Sequence, residues 1–214
     1  MQLIGMFDSP YVRRVAISMQ RLGLPFEHRN WSVGVDFEQI RAYSPLGRVP
    51  VLVLDDGTAL VDSAAILDAI DDLAGPSRAL LPATGTLRRE ALRLMWNAIG
   101  AGEKARDQMY ERMVRPPEKY HEPWVARCRE QMHGAIGELE ASCARCGPSG
   151  WLVDDRLTQA DITVACICTL LSDALQVFAE KSRYVRLQAH NAQCEALPEF
   201  RATRAKWFAA AIEK

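Results

Sequence analysis

Hydrophobic periodicity divides this chain of 214 residues into two parts that meet near residue 80. In the first part, apolar runs typical of strands alternate with helical patterns, in the order strand, helix, strand, hairpin and helix. In the second part, apolar residues recur only at helical spacing. A β-α-β unit favours a parallel strand pair, and a short hairpin adds an antiparallel one. The sequence therefore predicts an α/β domain with a mixed four-stranded sheet, followed by an all-α domain.

The strands, the turn and the last helix of the first part are each predicted from a short stretch of sequence. Strand patterns cover residues 2–6 and, more weakly, 26–31. Asp56-Gly57 is a strong hairpin signal between two strands within residues 49–61. The helical pattern after the hairpin runs from Ser63 to Leu73. Together these patterns predict a βαβ unit followed by a ββα unit.

The domain boundary is predicted from a segment of breakers and small residues, AGPSRALLPATG at 74–85. The predicted domains are residues 1–75 and 87–214, joined by a linker at 76–86. In the second domain, Thr158 and Asp161 have the spacing of a capping box, with Asp161 in place of the usual Glu or Gln. This spacing predicts a role in folding, at a helix start, and not a catalytic pair.

Composition excludes several classes of function. The formal net charge is −1, which gives no electrostatic reason to expect binding to nucleic acid or to an anionic membrane. The longest apolar stretch, residues 162–171, is too short to span a bilayer. All six cysteines lie in the second part, and Cys143 and Cys146 have no second pair nearby to complete a zinc site. We therefore expect no metal, no membrane span and a reducing cytoplasm.

A Ser-Pro pair, Ser9 and Pro10, stands where the first apolar run meets the first helical pattern. Proline suits the first position of a helix, where an N–H has no intrahelical partner. Ser9 then falls at the N-cap, with its hydroxyl at the positive end of the helix dipole. Two interpretations follow: Ser9 only caps the helix, or the junction binds an anion with Ser9 as a hydrogen-bond donor.

Four short motifs occur in an order and spacing that make them more specific together than any one is alone. They are SPYVRRV at 9–15, YSPLGRVPVL at 43–52, LVDSAAIL at 60–67 and LTQADITVA at 157–165. In this arrangement the chain resembles the cytosolic glutathione S-transferase superfamily, and in particular its bacterial and tau-like, serine-type members. One departure is Asp62, because glutamate is commoner at that position in the family.

The resemblance implies a fold and a reaction. It implies a thioredoxin-like first domain that binds glutathione, and an all-helical second domain that contributes the pocket for a small hydrophobic electrophile. Glutathione would be the co-substrate, with no further cofactor, and the protein would be a cytoplasmic homodimer. Two alternatives stay open: a non-catalytic glutathione S-transferase-like binding or interaction protein, and a glutathione-dependent peroxidase or isomerase on the same scaffold.

The resemblance gives Ser9 the role of donating a hydrogen bond to the glutathione sulfur, which reacts as a thiolate. A free thiol has a pKa of about 8.5, so little of it is ionised at neutral pH. A hydroxyl donor at a helix N-terminus is expected to lower that pKa by about one or two units. Redox members of the superfamily carry cysteine at the position of Ser9, and a C-x-x-C motif would also need a thiol at Val12. Their absence favours conjugation over disulfide exchange.

The resemblance also implies that the Val49–Pro50 peptide bond is cis. A cis bond there would turn the N–H and C=O of Val49 toward the cysteinyl backbone of glutathione, which would pair with it like an added strand. The alternative is an ordinary proline at the start of a strand. Arg48 matches a basic or glutamine position beside the ligand, and its alternative is a solvated surface arginine.

The resemblance assigns residues to the γ-glutamyl end of glutathione, whereas the glycine end has only weak candidates. By the resemblance, Ser63 binds the γ-glutamyl carboxylate at a helix N-terminus and Asp62 meets the adjacent ammonium group. An Asp-Ser pair before a helical run is, taken alone, more often just a cap. Arg13 and His28 are weak candidates for binding the glycine carboxylate.

Overall fold

The computed structural model describes residues 1–207 and divides into two compact units. Residues 1–83 and the segment that begins at Pro198 form the first unit, and residues 84–197 form the second. Residues 198–207 therefore belong with the first unit, whereas the sequence places them in the helical domain 87–214. The last seven residues of that predicted domain, 208–214, lie outside the described part of the chain.

The first unit contains the predicted mixed sheet. Its elements are β1 (Gln2–Ile4), α1 (Pro10–Leu22), β2 (Glu27–Arg29), α2 (Phe37–Arg41), β3 (Val51–Val53), β4 (Ala59–Val61) and α3 (Ser63–Ala74). The strand order is β2-β1-β3-β4. Strands β1 and β2 are parallel, with Leu3 opposite His28, whereas β1 pairs with β3 and β3 pairs with β4 in antiparallel fashion. The predicted βαβ and ββα order is confirmed.

Helix α1 follows its local signals at both ends. Ser9 is the N-cap and Pro10 occupies the first turn. The helix ends at Gly23, whose φ of 67° is the left-handed conformation that glycine adopts readily. Helix α2 is missing from the sequence prediction because its five residues are too few to show a helical period.

Arg13 explains why the segment after Pro198 belongs with the first unit. Its side chain is only 2% exposed, and its Nη2 donates a hydrogen bond of 2.8 Å to the carbonyl oxygen of Phe200. The guanidinium carbon also lies 5.6 Å from the centre of the Phe200 ring. The partners are 187 positions apart in the sequence, so no local pattern predicts this contact.

The second unit is all-helical, as predicted. Its elements are α4 (Gly85–Met113), a 3₁₀ turn (Pro117–Lys119), α5 (Glu122–Cys143), α6 (Gln159–Leu175) and α7 (Val185–Glu195), and the chain continues into α8 (Pro198–Ala202) of the first unit. Thr158 and Asp161 form the predicted capping box at the start of α6. Within residues 1–207, no helix combines the length and the apolar character that crossing a membrane requires.

Candidate functional site

Gly5 brings the loop before α1 directly against Val49. Its φ of 127° is rarely adopted by residues with a side chain. A Cβ atom at this position would lie 2.6 Å from Cγ2 of Val12 and 2.8 Å from Cβ of Val49, closer than real Cβ contacts allow. Glycine at this position therefore lets the segment leading to Ser9 sit beside the segment that starts β3.

Ser9 lies at the N-terminus of α1 in extended backbone conformation and is half-buried. Its Oγ accepts a long hydrogen bond of 3.5 Å from the backbone N–H of Val12. A hydroxyl has one hydrogen and two lone pairs, so accepting this bond leaves its own hydrogen for donation. The geometry therefore combines a cap with a donor, and both interpretations of Ser9 are compatible with it.

The Val49–Pro50 peptide bond is cis, as the resemblance implies. Pro50 is buried and Val49 half-buried, and Val49 packs against the core cluster of Ile4, Ile40 and Val51. The backbone at this point is therefore fixed by the core beneath it. Arg48 is exposed directly before Val49, where it fits a ligand contact and a solvated surface arginine equally well.

Asp62 and Ser63 occupy the N-terminus of α3. Asp62 has φ 70°, a left-handed conformation that residues with a side chain rarely adopt and that is often retained at functional sites. Its Oδ1 accepts a hydrogen bond of 2.7 Å from the backbone N–H of Ala64, and the residue is exposed. Ser63 is buried, at 4% exposure. The pair therefore caps α3 and also places a carboxylate at the surface.

Arg14 is a residue of this region that the sequence analysis missed. Its side chain is only 2% exposed, and its Nη2 donates a hydrogen bond of 2.6 Å to Oγ of Ser63. The sequence does carry a signal for this residue, because Arg14 stands directly before the apolar residues Val15 and Ala16 of α1. A polar side chain that is buried among apolar ones needs a hydrogen-bond partner.

The two weak candidates for the glycine carboxylate have structural partners. Arg13 is buried against Phe200, as described above, and so does not present its charge at the surface. His28 is bonded through Nε2 to the carbonyl oxygen of Gly5 at 2.7 Å, and its ring stacks on Phe7 at 3.8 Å between centroids. His28 thus supports the loop that leads to Ser9.

Family models match both parts of the chain. Residues 3–78 match the model of the glutathione S-transferase N-terminal domain, and residues 122–192 match that of the glutathione S-transferase C-terminal domain. The chain belongs to the glutathione S-transferase superfamily. The first match ends at residue 78, within the predicted linker, the second begins well after it, and together they cover more than half of the sequence.

Solved glutathione S-transferase structures are similar to nearly the whole chain. A glutathione S-transferase of Methylobacterium radiotolerans, solved in complex with glutathione sulfonate, has a TM-score of 0.87 and 28% identity and covers 96% of this chain and 94% of its own. A family member of Pseudomonas fluorescens Pf-5, solved with bound glutathione, has a TM-score of 0.82 and 27% identity and covers 95% and 98%. Among curated proteins, the GST-like protein YibF of Escherichia coli (strain K12), described as uncharacterized, is 28% identical over 166 residues, 78% of this chain and 79% of its own.

The cysteines of this glutathione S-transferase family member are all free thiols. Cys128, Cys166, Cys168 and Cys194 are buried, whereas Cys143 and Cys146 at the end of α5 are half-buried. Burial and the neighbouring Cys146 raise the pKa of Cys143 to about 12, and burial also raises the pKa of Cys146. Among the described residues, His, Cys, Asp and Glu side chains nowhere group in threes in a way that could hold a metal ion.

We expect alkylation of Cys143 and Cys146 by iodoacetamide to keep accelerating well above pH 9, because the reactive thiolate forms only as the pH approaches these raised pKa values. Free cysteine, with a pKa of about 8.5, serves as the reference and should level off near pH 9.5. Mass spectrometry of quenched samples gives the rates, and near-ultraviolet circular dichroism monitors the fold at each pH. A plateau below pH 9 for either residue would contradict the prediction.

Proposed function

We propose that this protein is a glutathione transferase that joins the glutathione thiolate to small hydrophobic electrophiles. The observation that carries the proposal is the position of Ser9, whose hydroxyl caps α1 and retains a hydrogen for donation. Relatives that cover nearly the whole chain have been solved with glutathione or glutathione sulfonate bound. A site for the same tripeptide in this chain is the simplest account of the shared arrangement.

In this proposal, the site holds glutathione by its backbone and by its γ-glutamyl end. The N–H and C=O of Val49 pair with the cysteinyl backbone, beside the cis bond to Pro50. Ser63 and the N-terminus of α3 bind the γ-glutamyl carboxylate, and the exposed carboxylate of Asp62 binds the ammonium group. Arg48 contacts the ligand's peptide from the surface.

Ser9 then acts on the sulfur. Its O–H donates to the thiolate, and the positive end of α1 adds to the stabilisation. Each unit of pKa depression corresponds to about 1.36 kcal/mol of preference for the ionised form. The thiol proton passes to solvent, the sulfur lone pair forms a C–S bond with the electrophilic carbon, and the leaving group departs with the electrons of the broken bond. We further propose that the electrophile is held in an apolar pocket close to the sulfur, and that the protein acts as a cytoplasmic homodimer.

Ser9→Ala tests the proposal. Calorimetry measures glutathione binding, and ultraviolet titration measures the pKa of the bound thiol. In the wild type we expect that pKa to lie about one or two units below 8.5 and in Ser9→Ala to return toward 8.5. At a pH below both pKa values, the conjugation rate should fall by a matching factor of about ten to a hundred. Below the pKa of the bound thiol the binding affinity should change little, because both proteins then bind the protonated thiol.

A capping role alone predicts a different result. Loss of a cap lowers stability by about 1 kcal/mol but leaves the pKa of the bound thiol unchanged. Ser77→Ala, which alters an exposed serine of the same unit, is the matched control. Binding with an unaltered thiol pKa in Ser9→Ala would assign activation to another group. Absence of binding at millimolar glutathione would contradict the enzyme and favour the non-catalytic alternative, and activity toward hydroperoxides alone would favour the peroxidase.

A further inference from the structure

The contact between Arg14 and Ser63 joins the two helices whose N-termini form the candidate site. Arg14 lies on α1, five residues after Ser9, and Ser63 is the first residue of α3. The contact is short, 2.6 Å from Nη2 to Oγ, and both side chains are buried, at 2% and 4% exposure. Taking a guanidinium out of water is costly, so a buried arginine needs hydrogen-bond acceptors inside the protein. Because the guanidinium is planar, its N–H groups point in fixed directions toward those acceptors.

The chemistry of the two groups fixes the direction of this bond. A guanidinium has only donors, so Oγ of Ser63 must be the acceptor. The hydrogen of the Ser63 hydroxyl then points away from Arg14, because the lone pair facing Arg14 is occupied. A charged donor on the oxygen also polarises the O–H bond and strengthens its own donation. Arg14 therefore makes Ser63 a hydrogen-bond donor toward whatever lies on its other side.

Ser63 itself belongs to the N-terminal turn of α3. The first backbone N–H groups of a helix have no intrahelical acceptor, and the helix dipole makes this end positive. An oriented hydroxyl donor added to this turn selects for an acceptor that carries negative charge. Asp62 already uses one carboxylate oxygen on Ala64, so the turn is capped without Ser63.

We propose that Arg14 is a positioning residue that holds the Ser63 hydroxyl as a donor to the γ-glutamyl carboxylate of glutathione. The proposal rests on the proposed function, since it assumes that glutathione binds at this site. It assigns carboxylate selectivity to a residue that does not touch the ligand. It also separates two functions on α1, because Ser9 acts on the sulfur of the central cysteinyl residue and Arg14 acts on the γ-glutamyl end of the tripeptide.

The test compares two ligands, glutathione and the analogue in which the γ-glutamyl α-carboxylate is an amide. Calorimetry gives the Kd of each. For Arg14→Met we expect the Kd of glutathione to rise about tenfold, as for loss of a hydrogen bond to a charged group, and the Kd of the amide analogue to change less than about twofold. The pKa of the bound thiol should stay at its wild-type value. Arg14→Gln, which is too short to keep the 2.6 Å contact but leaves a polar group in the buried site, gives the same comparison if Arg14→Met does not fold.

Arg78 provides a matched control. It also joins α1 to α3, but at their far ends, where Nη1 donates to the carbonyl oxygen of Leu22 and Nε to that of Ala74, each at 3.0 Å. Arg78→Met should therefore leave the ratio of the two Kd values unchanged. A double-mutant cycle with Ser63→Ala adds a second criterion: Arg14→Met should cost less than about twofold once the Ser63 hydroxyl is gone.

The outcomes separate the two proposals. If the wild type does not bind glutathione, the proposed function fails. If the wild type binds, but Arg14→Met weakens both ligands by the same factor, Arg14 only supports the fold and its positioning role is overturned. An undiminished effect of Arg14→Met in the Ser63→Ala background would also overturn it, because Arg14 would then act by another route.

Discussion

Replacing Asp161 with alanine should lower the free energy of unfolding by about 3–5 kcal/mol, as is typical when one partner of a buried, charged network is removed. Asp161 is fully buried and accepts four hydrogen bonds. Its Oδ2 accepts from the backbone N–H and the hydroxyl of Thr158, both at 2.8 Å. Its Oδ1 accepts from the backbone N–H of Leu152 and from Nε2 of His190, both at 2.9 Å. Alanine would leave these four donors without their acceptor, three of them in fully buried positions.

The size of the effect follows from the number of donors. Each buried donor that loses its acceptor costs about 1–3 kcal/mol, and partial relaxation or water entry recovers some of the sum. The same carboxylate ties the start of α6 to α7, which carries His190, and to the segment before α6, which carries Leu152. We therefore expect the cost to exceed that of losing a helix cap alone, which is typically about 1 kcal/mol.

Urea denaturation followed by far-ultraviolet circular dichroism gives the free energies of unfolding. Glu130→Ala, which removes an exposed carboxylate from α5, is the control and should change stability by less than about 0.5 kcal/mol. If Asp161→Ala lowered the free energy of unfolding by less than about 1 kcal/mol, the hydrogen-bond network would stabilise the fold no more than a helix cap does. Glutathione affinity per folded molecule should be unchanged, since Asp161 belongs to the folding of α6 and not to the site.

Local signals account for the parts of the fold that the sequence predicts. The Asp56-Gly57 hairpin, the Ser9-Pro10 helix start and the Thr158–Asp161 capping box are each encoded within a few residues. The residues of a turn or a helix cap set this kind of backbone geometry, and their effect extends over only a few neighbouring residues. The mixed sheet then follows from the order of the elements, because few sheet topologies contain both a βαβ unit and a hairpin.

The features that the sequence analysis missed depend on partners far apart in the chain. His190 joins Asp161 from 29 positions away, and Arg14 joins Ser63 from 49. Periodicity marks Arg14 only as a charge on an apolar face, and its partner becomes visible only after α1 and α3 are packed together. The cis bond before Pro50 was expected from the resemblance alone, since X-Pro bonds are mostly trans and no local signal at this site indicates otherwise.

Gly5→Ala is expected to lower the free energy of unfolding by about 2–5 kcal/mol and to weaken glutathione binding by tenfold or more. Two effects add. A side chain at φ 127° strains the backbone by about 1–2 kcal/mol, and forcing a methyl group into a filled space costs about 1–3 kcal/mol. The new Cβ would meet Val12 on one side and Val49 on the other. Relief requires the loop to move away from Val49, the residue whose backbone is proposed to pair with the cysteinyl group.

Gly23→Ala separates the two effects. Gly23 has φ 67°, and a Cβ atom there meets no atom within 4 Å, so alanine suffers the backbone strain without the clash. We expect Gly23→Ala to cost about 1 kcal/mol and to leave the Kd for glutathione unchanged. The excess cost of Gly5→Ala over Gly23→Ala, measured in urea, then reports the close packing of Gly5 against Val12 and Val49. Equal costs, or an unaltered Kd in a folded Gly5→Ala protein, would mean that this approach does not hold the site in place.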